Sequence, residues 1–292
     1  MRSYRYKQVD VFTQTRFKGN PVAVVLDASG LSDAQMQQIA NWTNLSETTF
    51  VLPASDAAAD YRLRIFTPHS ELPFAGHPTI GTAHALLEAG LIHAKNGILV
   101  QECSAGLIRL SISLQPDGPA WIAFDLPPAQ ISTLSADQIQ ELGDTLGIAC
   151  AAARPPLLID IGPRWIVAQC QDAASVLACR PDFERMRRQD SAAQRSGVVI
   201  FGASPEGSPA DFEVRAFAPA AGVNEDPVCG SGNGGVAVYL RHTGQVPAGG
   251  SALRASQGAI LGRAGQIRLQ ITGERITVGG QAVTCIDGSL LV

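Results

Sequence analysis

The sequence predicts an α+β protein of two similar domains, in each of which an antiparallel sheet or barrel wraps around one central, buried helix. The first observation behind this prediction is an internal repeat, because the segment 59–90 recurs as the segment 210–244. The second is that 79–89 and 232–241, one stretch in each copy, are almost wholly small and apolar. Helices of that composition must be buried on all sides, and a sheet folded around each is the simplest way to bury them.

The repeat consists of identical residues at matching spacings in the two copies. Asp60, Arg64, Phe66 and Pro68 recur as Asp211, Arg215, Phe217 and Pro219. After an insertion of three residues, Glu71, Pro73, Gly76, Gly81, Ala83, Leu86 and Gly90 recur as Glu225, Pro227, Gly230, Gly235, Ala237, Leu240 and Gly244. A weaker echo upstream relates 17–26 to 161–170. Only two copies are present, which excludes a solenoid.

The remaining elements are predicted to be short strands and an amphipathic helix. Strand-like runs bounded by Gly, Pro and Asn occur at 8–13, 22–26, 48–52, 61–66, 98–102, 108–113 and 121–125. A helix is predicted over 31–41, with Ser32-Asp33 as its N-cap and with Leu31, Met36 and Ile39 on one face. The Pro-rich stretch 116–130 is predicted to connect the two halves of the chain.

Composition restricts the classes of function. The chain has 292 residues, of which 46% are hydrophobic and 16% charged, and its formal net charge is −4. Lys and Arg form no block, which argues against nucleic acids and anionic membrane surfaces as partners. The sequence also shows no apolar signal-peptide core and no run long enough to cross a bilayer. We therefore expect a cytoplasmic protein that acts on a small molecule.

The six cysteines are scattered without the spacing of metal ligands, so we expect no metal site. All but one are expected to be small buried thiols. These five are Cys103, Cys150, Cys170, Cys179 and Cys285. Cys229 differs from them because it lies inside the repeat motif.

A Gly-rich turn precedes each buried helix and is a candidate anion site. Gly76 lies in the first turn, and Gly230 and Gly232 lie in the second. Free N–H groups and the positive end of a helix dipole suit a substrate carboxylate, and they would stabilise an enolate-like charge that grows on it. If the copies face each other, both turns point into one cleft. The alternative is that the glycines only permit close packing of helix against sheet.

Neither turn matches a nucleotide-binding fingerprint. The run GSGNGG lacks the Lys-Ser/Thr of a P-loop, and it lacks the acidic residue that a dinucleotide-binding unit places about 20 positions further on. We therefore expect no nucleotide or nicotinamide cofactor.

The two turns differ at the positions where chemistry would take place. His77 aligns with Ser231, Ala75 with Cys229, and Leu72 with Asp226. A histidine at a helix N-terminus is pushed towards its neutral form, which can donate or accept a proton. The alternatives are that His77 merely caps the helix and that Asp226, which precedes a proline, is a plain turn residue.

Four ordered segments resemble the PhzF-like family of isomerases, which shares the diaminopimelate-epimerase fold. They are FKGNPVAVVL, NLSETTFVLP, RIFTPHSELPFAGHPTIGTA and FAPAAGVNEDPVCGSGNGG, and the similarity runs from about Val9 to the C-terminus. The resemblance implies a cofactor-independent isomerase in which the glutamate after Asn-Leu-Ser, here Glu47, is the general acid and base. Without the resemblance, Glu47 would be taken for a solvated surface residue.

The resemblance also implies roles for three further residues. His77, Asp226 and Ser231 match family positions that bind substrate and steady the displaced charge. Family folds return a final strand to the first domain, which implies domains of 1–118 with 281–292 and of 119–280, and an active site in the cleft between them. Homodimers are common in the family, so we also expect a homodimer and a small carboxylate substrate.

Cys229 departs from the family pattern, which usually has threonine here. Related epimerases place a catalytic thiol in each turn, and Ala75 excludes that two-thiol mechanism because alanine cannot exchange a proton. A one-thiol epimerase or dehydratase remains open, since a cysteine at a helix N-terminus can have a lowered pKa. Cys229 can equally be a small substitute for threonine. A third alternative is a metabolite-binding protein without turnover.

Overall fold

The fold is described from a computed structural model, and the description covers residues 1–115, 118–148, 154–247 and 249–292. The chain divides into two units. Unit 1 comprises Met1–Asp125 and Gly279–Val292, and unit 2 comprises Leu126–Val278. Cys150 and Pro116, which begins the predicted connection, lie outside the described residues.

Unit 1 contains nine strands and two helices among the described residues. The strands are β1 (Ser3–Val11), β2 (Asn20–Val25), β3 (Thr48–Leu52), β4 (Tyr61–Phe66), β5 (Glu71–Leu72), β6 (Ile98–Cys103), β7 (Gly106–Gln115), β8 (Gly118–Asp125) and, at the end of the chain, β18 (Ala282–Leu291). The helices are α1 (Asp33–Thr43) and α2 (Gly76–Glu88).

The other described elements belong to unit 2, apart from the last two residues of β17, which belong to unit 1. The strands are β9 (Gln130–Thr133), β10 (Leu157–Asp160), β11 (Arg164–Gln169), β12 (Gly197–Ala203), β13 (Phe212–Ala218), β14 (Val223–Asp226), β15 (Ser251–Gln257), β16 (Gly265–Thr272) and β17 (Arg275–Gly280). The helices are α3 (Ala136–Leu146), α4 (Ala173–Ala178), α5 (Phe183–Ala192) and α6 (Gly230–His242).

The sheet of unit 1 is mixed. Strand β1 lies between β18 and β2 and is antiparallel to both. Strands β2 and β3 are parallel, β3 and β4 are antiparallel, and β4 and β6 are parallel. An antiparallel meander of β6, β7 and β8 follows. Helix α2 packs on β1, β2 and β8, and its first residue, Gly76, lies against Phe124 of β8.

Unit 2 has parallel strand pairs at the positions that correspond to those of unit 1. Strand β11 is parallel to β12, and β13 is parallel to β15, while β9–β10, β10–β11, β12–β13 and β15–β16 are antiparallel pairs. The prediction of purely antiparallel sheets was therefore wrong. The helices between β2 and β3 and between β11 and β12 carry the chain back to the same end of the sheet, and such a crossover makes the next strand parallel.

One ion pair recurs at aligned positions in the two units. The guanidinium of Arg64 forms two hydrogen bonds to Glu71, and that of Arg215 forms two to Glu225. Each guanidinium also lies over the ring of the phenylalanine two residues further on, at 5.0 and 4.9 Å from its centroid. The repeated residues thus hold the turn before each buried helix to the preceding strand.

The predicted helices form, with a difference at their N-termini. Helix α1 has the predicted Ser32 cap, and Met36 and Ile39 are buried. Helices α2 and α6 are buried as predicted, but they begin at Gly76 and Gly230 rather than at 79 and 232. Pro78 and the glycines indicate a turn from the sequence. In a first helical turn, however, the N–H groups have no intrahelical acceptor, so Pro78 sacrifices no hydrogen bond.

The cysteines are less uniformly buried than expected. Cys170, Cys179 and Cys229 are buried free thiols, whereas Cys103 and Cys285 are only partly buried.

None of the helices in the described ranges combines the length and the apolar character needed to cross a membrane.

Candidate functional site

The first helical turn of α2 forms one candidate half-site. Ala75, in extended conformation, occupies the N-cap position and has no side-chain hydrogen bond to offer the helix. Gly76 is required by close packing, since a Cβ there would lie 2.5 Å from the Phe124 ring. The terminus thus has backbone donors without a side-chain cap, an arrangement that suits an anion.

Glu47 lies beside this terminus. Helix α1 ends at Thr43, and its C-cap Asn44, with a left-handed backbone (φ 52°), turns the chain towards β3. The carbonyl of Glu47 then accepts a hydrogen bond from Ala23 of β2 at 3.4 Å. Its side chain is 15% exposed, and its Oε2 lies 3.3 Å from Nε2 of His77. The structure therefore brings together the two predicted catalytic residues of unit 1.

His77 is held as a neutral imidazole with one particular tautomer. Its ring is hydrogen-bonded to the backbone of Pro21, and because proline has no N–H the partner must be the carbonyl. Nε2 faces Glu47, so Nδ1–H is the donor and Nε2 presents its lone pair. Burial lowers the pKa of His77 to about 3. The prediction of a neutral histidine agrees with this environment.

The first turn of α6 forms the second candidate half-site. Cys229 is the N-cap, and its Sγ accepts a hydrogen bond from the N–H of Gly232 at 3.3 Å. Gly230 opens the helix and is buried. At Gly232 a Cβ would lie 3.0 Å from Val199, so the helix terminus also packs tightly on β12. Gly232 therefore permits close packing of the helix on the sheet, in addition to any role in binding.

Asp226 and Cys229 are hydrogen-bonded to each other through their side chains. Asp226 also accepts from the N–H of Val228 at 3.0 Å. Burial raises the pKa of Asp226 to about 6 despite these donors. Burial likewise raises the pKa of Cys229, and the neighbouring Asp226 raises it further. The suggestion that the helix terminus lowers the pKa of this thiol was wrong, because desolvation outweighs the dipole.

Ser231 is bound by a residue that the sequence analysis missed. The indole N–H of Trp165, on β11, donates to Ser231 Oγ at 3.1 Å, and Ser231 Oγ lies 3.6 Å from Cys229 Sγ. Trp165 falls in the weak upstream echo at the position aligned with Pro21, which itself binds His77. That alignment was the available signal, but a buried tryptophan on a strand is ordinarily a core residue.

Each unit therefore gathers part of the predicted set. Glu47 and His77 lie together in unit 1, and Asp226, Cys229 and Ser231 lie together in unit 2. His77 and Ser231 are both the second residue of their helices. Among the described residues, no three His, Cys, Asp or Glu side chains are grouped as a metal site requires.

The raised pKa of Asp226 predicts a pH-dependent stability difference from Asp226→Asn. The folded pKa is about 6, above the value of about 3.9 for an unfolded chain. The carboxyl group thus contributes stability that is complete below pH 4 and is lost as the pH rises through 6. Between pH 4 and 7.5 the wild type should lose about 2 kcal/mol of unfolding free energy relative to Asp226→Asn.

Urea denaturation of both proteins at the two pH values measures this difference. Glu206→Gln, at an exposed loop position, is the matched control and should show no such gap. The raised pKa of Asp226 would be contradicted if the wild type lost as much unfolding free energy relative to Glu206→Gln as it does relative to Asp226→Asn.

The sequence model of the phenazine biosynthesis-like protein family, PhzC-PhzF, matches residues 9–288. The curated protein named antisense-enhancing sequence 1 of Schizosaccharomyces pombe is 44% identical over 300 residues, with complete coverage of both chains. The trans-2,3-dihydro-3-hydroxyanthranilate isomerase of Pseudomonas chlororaphis is 34% identical, covering 99% of this chain and 100% of that protein.

Solved structures agree with these matches. The crystal structure of a PhzF-family phenazine biosynthesis protein of Bacillus anthracis superposes with a TM-score of 0.89 at 26% identity, with complete coverage of both chains. A hydroxyproline epimerase of Agrobacterium vitis has a TM-score of 0.64 at 15% identity, covering 99% of this chain and 92% of that one. The second similarity extends to the fold alone.

Proposed function

The chain belongs to the phenazine biosynthesis-like family and is an isomerase, and from this premise we propose that it moves a proton between carbon atoms of a small carboxylate substrate, with Glu47 as the general acid and base and without a cofactor. The binding-protein alternative is set aside with this assignment. We also propose that the protein consists of two similar domains, in each of which a sheet surrounds a buried helix.

The observation that carries the proposal is the contact between Glu47 and His77. The lone pair of Nε2 faces Oε2 of Glu47 at 3.3 Å, and Nδ1–H is committed to the carbonyl of Pro21. The two side chains can therefore hold one proton in common. Glu47, 15% exposed, can take a proton from one substrate carbon and return it to another. His77 stays neutral and keeps the carboxyl group in place.

The helix termini supply the electrostatic part of the mechanism. The uncapped first turn of α2 offers N–H groups at Gly76 and His77 to a carboxylate. In unit 2, Ser231 offers a hydroxyl proton and Asp226 a carboxyl group that binds amino or hydroxyl groups. Donors of this kind stabilise the enolate-like charge that appears when the neighbouring carbon loses its proton.

The substrate class follows from the chemistry of these groups. Backbone N–H groups at a helix terminus suit a carboxylate, and the side chains of Ser231 and Asp226 suit hydroxyl or amino groups. The P. chlororaphis relative is named for a substrate with all three groups, so trans-2,3-dihydro-3-hydroxyanthranilate is the first compound to test. The homodimer and the cytoplasmic location stay predictions.

The one-thiol alternative is disfavoured by the surroundings of Cys229. A thiol that donates to a carboxylate and has a raised pKa is a poor base. We expect Cys229→Thr to keep its turnover within about three-fold, because a hydroxyl can accept from Gly232 and donate to Asp226 in the same way. Cys229→Ala removes both bonds and should be slower. Steady-state kinetics of both variants would show it, and inactivity of Cys229→Thr in a folded protein would restore the thiol mechanism.

The experiment that tests the function is solvent exchange followed by mass spectrometry. The protein is incubated in deuterium oxide with trans-2,3-dihydro-3-hydroxyanthranilate and, separately, with a pool of hydroxy- and amino-carboxylates. Proton return from solvent leaves deuterium on carbon. Carbon-bound deuterium that is absent with Glu47→Gln supports the proposal. Label that survives in Glu47→Gln overturns the role of Glu47, and wild-type protein that changes neither the mass nor the chromatographic position of any compound overturns the function.

A further inference from the structure

We infer that Trp165 is a positioning residue, whose indole N–H turns Ser231 into a hydrogen-bond donor for an anionic group of the substrate. The inference rests on the proposed function, because it concerns the same site, and it adds a residue that none of the four family segments contains. It is carried by the direction of the hydrogen bonds at the start of α6.

The hydrogen bond from Trp165 has only one possible direction. An indole N–H donates and cannot accept, so Ser231 Oγ must be the acceptor at 3.1 Å. The hydroxyl proton of Ser231 then points elsewhere. At rest its neighbour is Cys229 Sγ, 3.6 Å away, which is a weak acceptor. A carboxylate or enolate oxygen of a ligand would take this proton in preference to sulfur.

The next hydrogen bond in the series runs in the same direction as the one from Trp165 to Ser231. The thiol of Cys229 is hydrogen-bonded to Asp226, whose carboxylate can only accept from it. Trp165, Ser231, Cys229 and Asp226 thus form one series in which each member donates to the next. Hydrogen bonds aligned in this way polarise one another. The indole at one end therefore reinforces the donor character of the hydroxyl.

Unit 1 has the opposite polarity at the same place. Pro21 is aligned with Trp165 and His77 with Ser231, and there the carbonyl of Pro21 accepts from the imidazole. The remaining nitrogen of His77 consequently presents a lone pair, whereas Ser231 presents a proton. The side chain at the second residue of α2 is thus an acceptor, and the side chain at the second residue of α6 is a donor.

The neighbouring strand explains why the indole fits in unit 2. Thr48 pairs with Phe66 in unit 1 and Val198 pairs with Phe217 in unit 2, so Glu47 is aligned with Gly197. A Cβ on Gly197 would lie 2.9 Å from the Trp165 ring and closer still to the carbonyl of Phe217. Unit 2 thus has a glycine, Gly197, at the position that Glu47 occupies in unit 1. The indole of Trp165 occupies the space beside α6 that a side chain at this position would need.

The first test is spectroscopic and needs no substrate. The chain has three tryptophans, which give three indole N–H signals in a ¹⁵N-labelled protein. Trp42→Phe and Trp121→Phe each remove one signal and so leave the third to Trp165, and Trp42 is 77% exposed. In Ser231→Ala, in which Trp165 is intact, the Trp165 indole proton should shift upfield and exchange faster with solvent. An unchanged signal would overturn the inference even if Trp165→Phe proves unstable.

The second test is a double-mutant cycle in the solvent-exchange reaction. We expect Ser231→Ala to lower kcat/KM by about 10²- to 10³-fold, as loss of an anion-stabilising donor does. Trp165→Phe should lower it about two- to ten-fold, the effect of one neutral hydrogen bond. In the Ser231→Ala background, Trp165→Phe should have no further effect, because it acts through the hydroxyl. Trp42→Phe should match the wild type.

The outcomes separate the inference from the proposed function. Multiplying losses in the double variant would mean that Trp165 only packs, and the positioning role would be wrong while the function stands. A wild type that converts no compound overturns the function and, with it, the inference. Non-additive losses together with the shifted indole signal support both.

Discussion

Replacing Glu47 by glutamine is expected to lower the rate of carbon proton transfer by about 10²- to 10⁴-fold while leaving substrate affinity nearly unchanged. The amide cannot take or give the proton. Its NH₂ group can still donate to the lone pair of His77 Nε2, so the contact at 3.3 Å and the local fold are preserved. Loss of kcat with retained affinity is the signature of a group that acts only in the transition state.

Affinity is measured by isothermal titration with the substrate that the exchange reaction identifies, and the rate by deuterium incorporation. Glu206→Gln, an exposed glutamate of unit 2, is the control for loss of a carboxylate and should behave as wild type. A Glu47→Gln variant with wild-type rates would end the proposed mechanism, whereas a variant that binds no substrate would make Glu47 a binding residue.

Arg215→Met is expected to cost about 3–5 kcal/mol of unfolding free energy, because it leaves Glu225 buried without its cation. The Arg215 and Glu225 side chains are 3% and 6% exposed. The guanidinium also donates to the carbonyls of Val176 and Cys179 at 3.1 and 2.7 Å, and these acceptors lose their partner too. The cost is therefore the desolvation of an unpaired charge added to lost hydrogen bonds.

The aligned residue of unit 1 is a matched control. The Arg64 side chain is 15% exposed and its partners Glu71 and Asp33 are 32% and 82% exposed, so Arg64→Met should cost only about 1 kcal/mol. Urea denaturation of both variants gives the comparison. The double variant Arg215→Met with Glu225→Leu should recover much of the loss, since it removes both charges. Equal costs at the two arginines would contradict this account.

The helices and the placement of the half-sites were largely accessible from the sequence. The predominance of small and apolar residues in 79–89 and 232–241 requires burial, and most residues of α2 and α6 are buried. The repeat correctly aligned His77 with Ser231. The parallel strand pairs were not predicted, because strand-like runs show which residues are extended but not which strands become neighbours. The crossover helices decide the order and direction of neighbouring strands.

Two functional features depended on information outside local patterns. Glu47 was found only through the family motif, because a glutamate after a serine is ordinarily solvated, and its 15% exposure results from β3 lying beside α2. Trp165 was missed altogether. Its indole reaches Ser231 across 66 positions of the chain, a contact that no local spacing predicts.

The sequence by itself determined the repeat, the buried helices, the residue types of both helix termini and the family, since each of these is written in identities and short spacings. The tertiary structure alone decided which way the hydrogen bonds run. Whether Cys229 is a base or a donor, and whether His77 and Ser231 accept or donate, depends on burial and on the atom opposite each group. Those are properties of packing between distant segments, because desolvation and hydrogen-bond partners shift a pKa far more than the neighbouring residues in the chain do.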